Sequence, residues 1–270
     1  MKIYIPSRSR YMRSLTLEQL GAPALRRWLV ALVVPASEAQ QYAKLAKQYR
    51  VEVLPCRAEG ISLTRQAIGA HAAKLGIDSF LMLDDDLRFV HRVKADEVPL
   101  TPNTPEDNVR MLEDVEKALM EYAHASISAR QANNNHLYEV QWRGKPVKIC
   151  VRALRALGFQ TRYFNTCVHG RVQIMEDFDV ALQLMARGLP NIELRYWAQD
   201  QAQTQARGGC SAYRTHELHE ANVRKMAKLW PSIVKVRDKQ NKTGGEFGSR
   251  IEATIQWKQA LGLYGKKLTA

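Results

Sequence analysis

Three consecutive carboxylates, Asp84, Asp85 and Asp86, follow directly on the apolar stretch Phe80-Leu81-Met82-Leu83. Anionic side chains crowded at the end of a buried strand repel one another unless a positive charge sits among them. Hard divalent cations such as Mg²⁺ or Mn²⁺ take oxygen ligands and share them with substrate phosphates, so the triplet is a candidate cation and phosphate site. A solvated acidic turn is the alternative. A second acidic cluster, Glu176-Asp177-Phe178-Asp179, stands at the mouth of an expected helix. Acids there can serve as capping and macrodipole partners alone. Paired with the triplet, they can instead supply the carboxylate that takes a proton from an incoming nucleophile. Arg8, Arg10 and Arg65 could neutralise a diphosphate or orient that base, and could equally be surface arginines.

The elements that must position these residues are legible mainly in the first half. Residues 2–6 form a short apolar strand that ends in Ser7-Arg8-Ser9-Arg10, and residues 28–34 form a continuous apolar, valine-rich strand covered on both faces. Ser37 caps a helix to about residue 48, residues 51–54 are a third strand, and Ser62 opens a helix to about residue 75 that Gly76 closes. Residues 80–83 are a fourth strand, residues 99–105 a Pro-rich loop, and Thr104 with Pro105 starts a helix to about Tyr122. Such alternation implies an open, mostly parallel α/β sheet with ligands at the carboxyl ends of its strands, where residues 7–10 and 84–86 both fall. Beyond it, the pattern predicts a strand at 125–129 and an Asn-rich turn at 131–136. It further predicts a hairpin of 138–142 with 147–151, a helix over 177–187 closed by Gly188, and flexible polar segments at 199–209 and 242–248. No internal repeat or long linker divides the chain, which reads as one domain.

The sequence has 270 residues with 46% hydrophobic and 25% charged side chains, ordinary for a globular protein and excluding collagen, coiled coil and wholesale disorder. The longest apolar run, from Trp28 to Pro35, is far short of a membrane span, and the amino-terminal residues show no signal core. Cys56, Cys150, Cys167 and Cys210 form no CxxC pair, so zinc ribbons are unsupported and reduced thiols in a cytoplasmic setting are expected. Neither GxGxxG nor GxxxxGK[ST] occurs, which counts against dinucleotide and P-loop enzymes. The stretch His216-Glu217-Leu218-His219 is one residue short of HExxH, so a zinc protease is not supported.

The formal net charge of +13 is unevenly placed. Residues 1–139 carry +1, residues 140–175 carry +7, residues 176–206 carry −3, and residues 207–270 carry +8. Concentration of cations on one half favours a polyanionic partner there.

Taken together, these residues resemble the nucleotide-sugar glycosyltransferases of the GT-A fold. The strand-borne triplet looks like their DxD signature, Glu176-Asp177 like their later ED motif, the Leu63-Thr64-Arg65-Gln66-Ala67 helix like the one before the DxD strand, and Pro6-Ser7-Arg8 like the nucleotide-contacting end of the first strand. The basic second half and Tyr213-Arg214-Thr215-His216-Glu217 resemble bacteriophage DNA-modifying members, the TET-associated glycosyltransferases. The resemblance implies a GT-A-like open mixed, mostly parallel sheet flanked by helices, with residues 1–139 binding the nucleotide-sugar and residues 140–270 forming a basic acceptor-binding region. It implies a donor, expected to be a UDP-sugar, held at Pro6, Ser7, Arg8, Arg10, Arg65, Asp84 and Asp85. Asp86 would be the direct ligand of Mn²⁺ or Mg²⁺, with Asp84 and a carboxy-terminal histidine, His216 or His219, beside it. Asp177 would be the base, with Glu176 next to it. No QxxRW-like stretch occurs, so polymer synthesis is not expected.

The acceptor follows from charge and from aromatics. Trp142, Tyr163, Phe164, Tyr196, Trp197 and Tyr213 are interleaved with the basic stretches, a pattern that suits nucleic acid and also suits a core. The expected reaction is sugar transfer to a hydroxyl on a modified pyrimidine in DNA. A nucleotidyltransferase and a non-catalytic nucleic-acid-binding module are the alternatives.

Overall fold

A computed structural model of the chain describes residues 1–92, 100–129, 140–201, 215–240 and 249–263. In chain order its elements begin with β1 (Lys2–Pro6), α1 (Leu15–Arg27), β2 (Leu29–Pro35), a 3-10 turn (Ala36–Glu38), α2 (Ala39–Tyr49), β3 (Glu52–Cys56), α3 (Ile61–Lys74) and β4 (Ser79–Leu83). They continue with β5 (Leu87–Arg92), β6 (Leu100–Pro102), α4 (Pro105–Glu121), β7 (His124–Ala129), β8 (Gln141–Trp142), β9 (Lys145–Ile149) and β10 (Ala156–Gln160). The rest are α5 (Thr161–Phe164), α6 (Glu176–Ala186), β11 (Asn191–Gln201), α7 (His216–Leu229), β12 (Val234–Gln240), β13 (Ser249–Ile255) and α8 (Trp257–Ala260).

Eleven strands make one sheet, with the main path β3-β2-β1-β4-β10-β7-β11-β5-β6. Along that path only β10 and β5 run against the others, which gives the expected mostly parallel sheet. On one face α1, α2 and α4 pack Leu17, Leu45 and Val115 against Ile5, Leu32 and Leu83. On the other, α3, α5 and α6 pack Ile68, Phe164 and Leu184 against Tyr4, Val33 and Phe80. The two-sided cover explains the unbroken apolar run of β2, whose residues from Val30 to Val34 are all buried. A third core joins the back of α6 to α7, β12, β13 and α8 through Met185, Met226, Trp230 and Val234.

Helix α4 starts as its sequence dictates: Thr104 and Asp107 form a capping box around Pro105. Elsewhere the chain departs from expectation. Ser37 lies in the 3-10 turn, and α2 begins at Ala39 with no side-chain cap. The Pro-rich stretch contains β6, paired with β5 at the sheet edge where Pro102 costs no ladder bond. The hairpin is β8–β9, turned tightly by Arg143 and Gly144 with φ of 51° and 74°. Residues 199–201 extend β11 instead of starting a loop. The segments expected at 131–136, 202–209 and 242–248 lie outside the described residues. Cys56, Cys150 and Cys167 are free and buried. Among the described residues no helix is long and apolar enough to cross a membrane.

Candidate active site

Strand β4 carries the three aspartates out of the sheet, and the amino end of α1 grips the turn they form. The Thr16 hydroxyl donates to the Asp84 carbonyl at 2.5 Å and its amide to the Asp85 carbonyl at 3.2 Å. On the other side the Asp84 amide donates to the Arg155 carbonyl at 3.0 Å, from the residue just before β10. The turn is therefore held through its own backbone groups before the aspartate side chains are considered.

The side chains then separate into two groups. Asp85 is buried and spent on the protein: Ser7 Oγ donates to its Oδ2 at 2.5 Å and Arg10 Nη1 donates to its Oδ1. Burial raises its pKa, while the Arg10 charge and the Ser7 hydrogen bond work in the opposite direction. Arg10 also pairs with Asp86 at 2.9 Å. Burial works against its charge, but the two aspartates outweigh that and raise its pKa. Tyr42 of α2 completes this brace. Its hydroxyl lies 2.9 Å from Ser7 Oγ and accepts from the Arg10 amide at 3.0 Å. Asp85 and Arg10, expected to contact the donor, are thus mainly braces that hold the loop after β1 against the triplet. Pro6 ends β1 opposite Val33, and Arg8 is exposed.

The second group links the triplet to α6. Arg65 of α3 is buried between Glu176 Oε1 at 2.5 Å and Asp84 Oδ1 at 3.8 Å. Glu176 is itself buried. Glu176, expected beside the base, forms an ion pair that ties α6 to α3. Asp177, next in the same turn, keeps partial exposure and accepts from the Phe178 amide at 3.0 Å. A small cavity lined by Ser62, Arg65, Phe164, His169, Glu176 and Asp177 lies between α3, α5 and α6. Met175, just before the acids, has φ of 68°, a conformation that a non-glycine residue adopts at an energetic cost and that turns the chain into α6.

Four carboxylates and two guanidiniums in direct contact leave two negative charges in excess when all are ionised. Asp86 accepts from Gln201 at 2.9 Å through Oδ2, yet its Oδ1 is buried with no hydrogen-bond partner among the described residues. An orphaned, buried carboxylate oxygen in a site with that charge excess fits a divalent cation. Among the described residues no group of three or more His, Cys, Asp or Glu is assembled that would hold a metal unaided. His216 pairs with Glu220 at 3.8 Å on its own helix, and His219 meets the Ile251 carbonyl at 3.0 Å. The second contact ties α7 to β13, and neither contact is with the triplet.

Asp84 shows the same strain as a pKa. Burial, with Asp86 and Asp85 adding to it against the opposing charge of Arg65, pushes it up to about 7. The fold thus favours the protonated carboxyl, so stability falls as pH rises from the ordinary carboxylate range through about 7. In metal-free buffer Asp84→Asn is expected to raise Tm at pH 8 by about 2–4 °C, roughly 1 kcal/mol at this size. The gain shrinks towards pH 4. Thermal melts at the two pH values check it, and equal shifts at both would refute it.

The TET-Associated Glycosyltransferase family matches residues 1–209. The chain belongs to this family. Among solved structures, this TET-associated glycosyltransferase is similar to S. aureus TarS at 10% identity and a TM-score of 0.49, covering 84% of this chain and 40% of that one. It is similar to S. aureus TarS 1–349 in complex with UDP at 11% identity and a TM-score of 0.47, covering 84% and 66%. The inositol-1-phosphate CTP transferase from T. maritima matches at 9% identity and a TM-score of 0.45, covering 80% and 94%. The chain therefore spans 40% of the length of the first of these and 66% of the second. No curated protein sequence matches it.

Sequence reasoning missed Thr16, Tyr42, Gln201 and Arg155 in this TET-associated glycosyltransferase, because each acts through a partner distant in the chain. It also over-read the aromatics. Trp142, Phe164 and Trp197 are buried core, Tyr163 and Tyr196 are half-buried, and Tyr213 and Arg214 lie outside the described residues.

Proposed function

We propose that the enzyme moves a sugar from a nucleotide-sugar donor, a UDP-sugar, to the hydroxyl of a hydroxymethylated pyrimidine in DNA. The observation that carries the donor side is the orphaned, buried Asp86 Oδ1 in a site where four carboxylates share two directly paired guanidiniums. Asp86 and Asp84 would hold Mn²⁺ or Mg²⁺, and the donor diphosphate would complete its ligands, since small hard cations are commonly bound by one or two carboxylates plus phosphates. When bound, the cation would neutralise charge on the departing nucleoside diphosphate. Ser7 and Arg10 hold the loop after β1 in place for the nucleotide, and Arg8 at its exposed edge is available to the phosphates.

Asp177 takes the proton of the acceptor hydroxyl as its oxygen attacks the anomeric carbon of the sugar. The bond from that carbon to the diphosphate oxygen breaks, and the electron pair leaves with the nucleotide. Arg65 holds Glu176 and Asp84, and so fixes the distance between the base-bearing helix and the donor site. Support for DNA comes from the family's DNA-modifying members and from the +7 and +8 stretches on either side of Asp177.

Thermal stabilisation by a panel of nucleoside diphosphates, with and without Mn²⁺, tests the donor side. Saturating UDP with Mn²⁺ is expected to raise Tm by about 5–10 °C, from about 2.7 kcal/mol at a hundredfold excess over Kd. Equal effects from all nucleotides, or none, would remove the reading. Label from the sugar must then appear on hydroxymethylated DNA, and label from the α-phosphate must not.

A further inference from the structure

The family match stops at residue 209, yet the chain continues into α7, β12, β13 and α8, a packed unit with a two-faced hairpin. Register sets Val234, Val236 and Asp238 beside Ile255, Ala253 and Ile251 on one face, and Lys235 and Arg237 beside Thr254 and Glu252 on the other. The first face is turned to protein at Val234 and Ile251, while Val236 and Asp238 on it are exposed. Val234 shares a core with Met226, Trp230 and Ala260, and Ile251 is buried beneath His219. The second face looks outward, with Lys235 and Arg237 exposed. Its acid, Glu252, is paired with Arg250 at 2.5 Å, so positive charge prevails on that face.

The same carboxy-terminal unit packs against the helix of the second acidic cluster through α8. The Arg152 guanidinium lies 4.9 Å from the Phe178 ring centre, and Phe178 meets Trp257 edge-on at 5.5 Å. Arg152 is also within electrostatic reach of both Asp177 and Glu252. The unit that bears the outward cations thus packs beside the helix that bears the proposed base. A two-stranded antiparallel ribbon has the width of a nucleic-acid groove, and its lysines and arginines are suited to phosphates.

We infer that the outward face of β12–β13 docks the phosphate backbone of the DNA acceptor and holds it beside the helix that contains Asp177. This rests on the DNA-acceptor reading above. The test compares the wild type with a Lys235→Ala, Arg237→Ala double variant, using a hydroxymethylated DNA duplex across a salt series and the free hydroxymethylated nucleoside. Both side chains are exposed, so the variant keeps the wild-type Tm. Its DNA affinity is expected to fall about tenfold, and the slope of log affinity against log salt to flatten by about 2, one unit per lost phosphate contact. Transfer to the free nucleoside stays unchanged. Wild-type affinity and slope in the variant would overturn the docking face alone, as would equal losses on DNA and nucleoside. If the wild type shows no salt-dependent DNA binding, the acceptor reading itself fails and takes this inference with it.

Discussion

Asp177→Asn lowers the turnover number for sugar transfer by about 10²–10⁴-fold, the usual contribution of a positioned general base. The substitution is nearly isosteric, and its amide oxygen can still accept from the Phe178 amide, so the first turn of α6 is retained. Nucleotide-induced thermal stabilisation and DNA affinity are therefore expected at wild-type values. Steady-state kinetics beside a thermal-shift titration check this. A fall in kcat with unchanged binding is the signature of a group that works only as the acceptor proton moves. A variant that turns over within a few-fold of wild type would place the base elsewhere. Glu176→Gln is the control, since Glu176 is held by Arg65 and is not exposed to an acceptor. Its loss should show first as destabilisation.

Two residues on, the same kind of side chain does a different job. Asp179 is buried, accepts from Arg171 through both oxygens, and also accepts from Trp230 Nε1 at 2.8 Å and Gln183 at 3.1 Å. Those contacts fasten α6 to the segment before it and to the end of α7. Asp179→Ala removes the acceptor for all three and leaves the partly exposed Arg171 without its carboxylate, at a cost of about 2–3 kcal/mol. Chemical denaturation of the metal-free enzyme measures it, and a loss below about 1 kcal/mol would mean that the site relaxes around the gap. Because Trp230 belongs to the carboxy-terminal core, its fluorescence should report the same transition.

Local signals made about half of this fold legible. The run in β2, the capping box of α4 and the abrupt end of β4 in aspartates each lie within a few residues of one another. Helix α1 was illegible because Gly21, with φ of 73°, and Pro23 interrupt its periodicity. Strand β11 was hidden by buried charges: Glu193 and Arg195 pair with each other at 2.9 Å, and no short window reveals that. At the site, the acids could be named from sequence, but their division of labour could not. Asp85 is committed to Arg10 from 75 residues away, and Glu176 to Arg65 from 111 residues away. Which carboxylates remain for chemistry is decided by those long-range pairs.

The antiparallel insertion of β10 between β4 and β7 bears on how the enzyme is made. While the chain is being synthesised, the aspartate turn can exist only in part. Its closing amide bond, from Asp84 to Arg155, needs a segment that leaves the ribosome some seventy residues later. Until then β4 presents an unpaired edge, and an unpaired edge invites pairing with another chain. The residues before the aspartates and those well after them are therefore tied into one sheet, and the pairing that closes the aspartate turn also covers an edge that would otherwise be open to another chain.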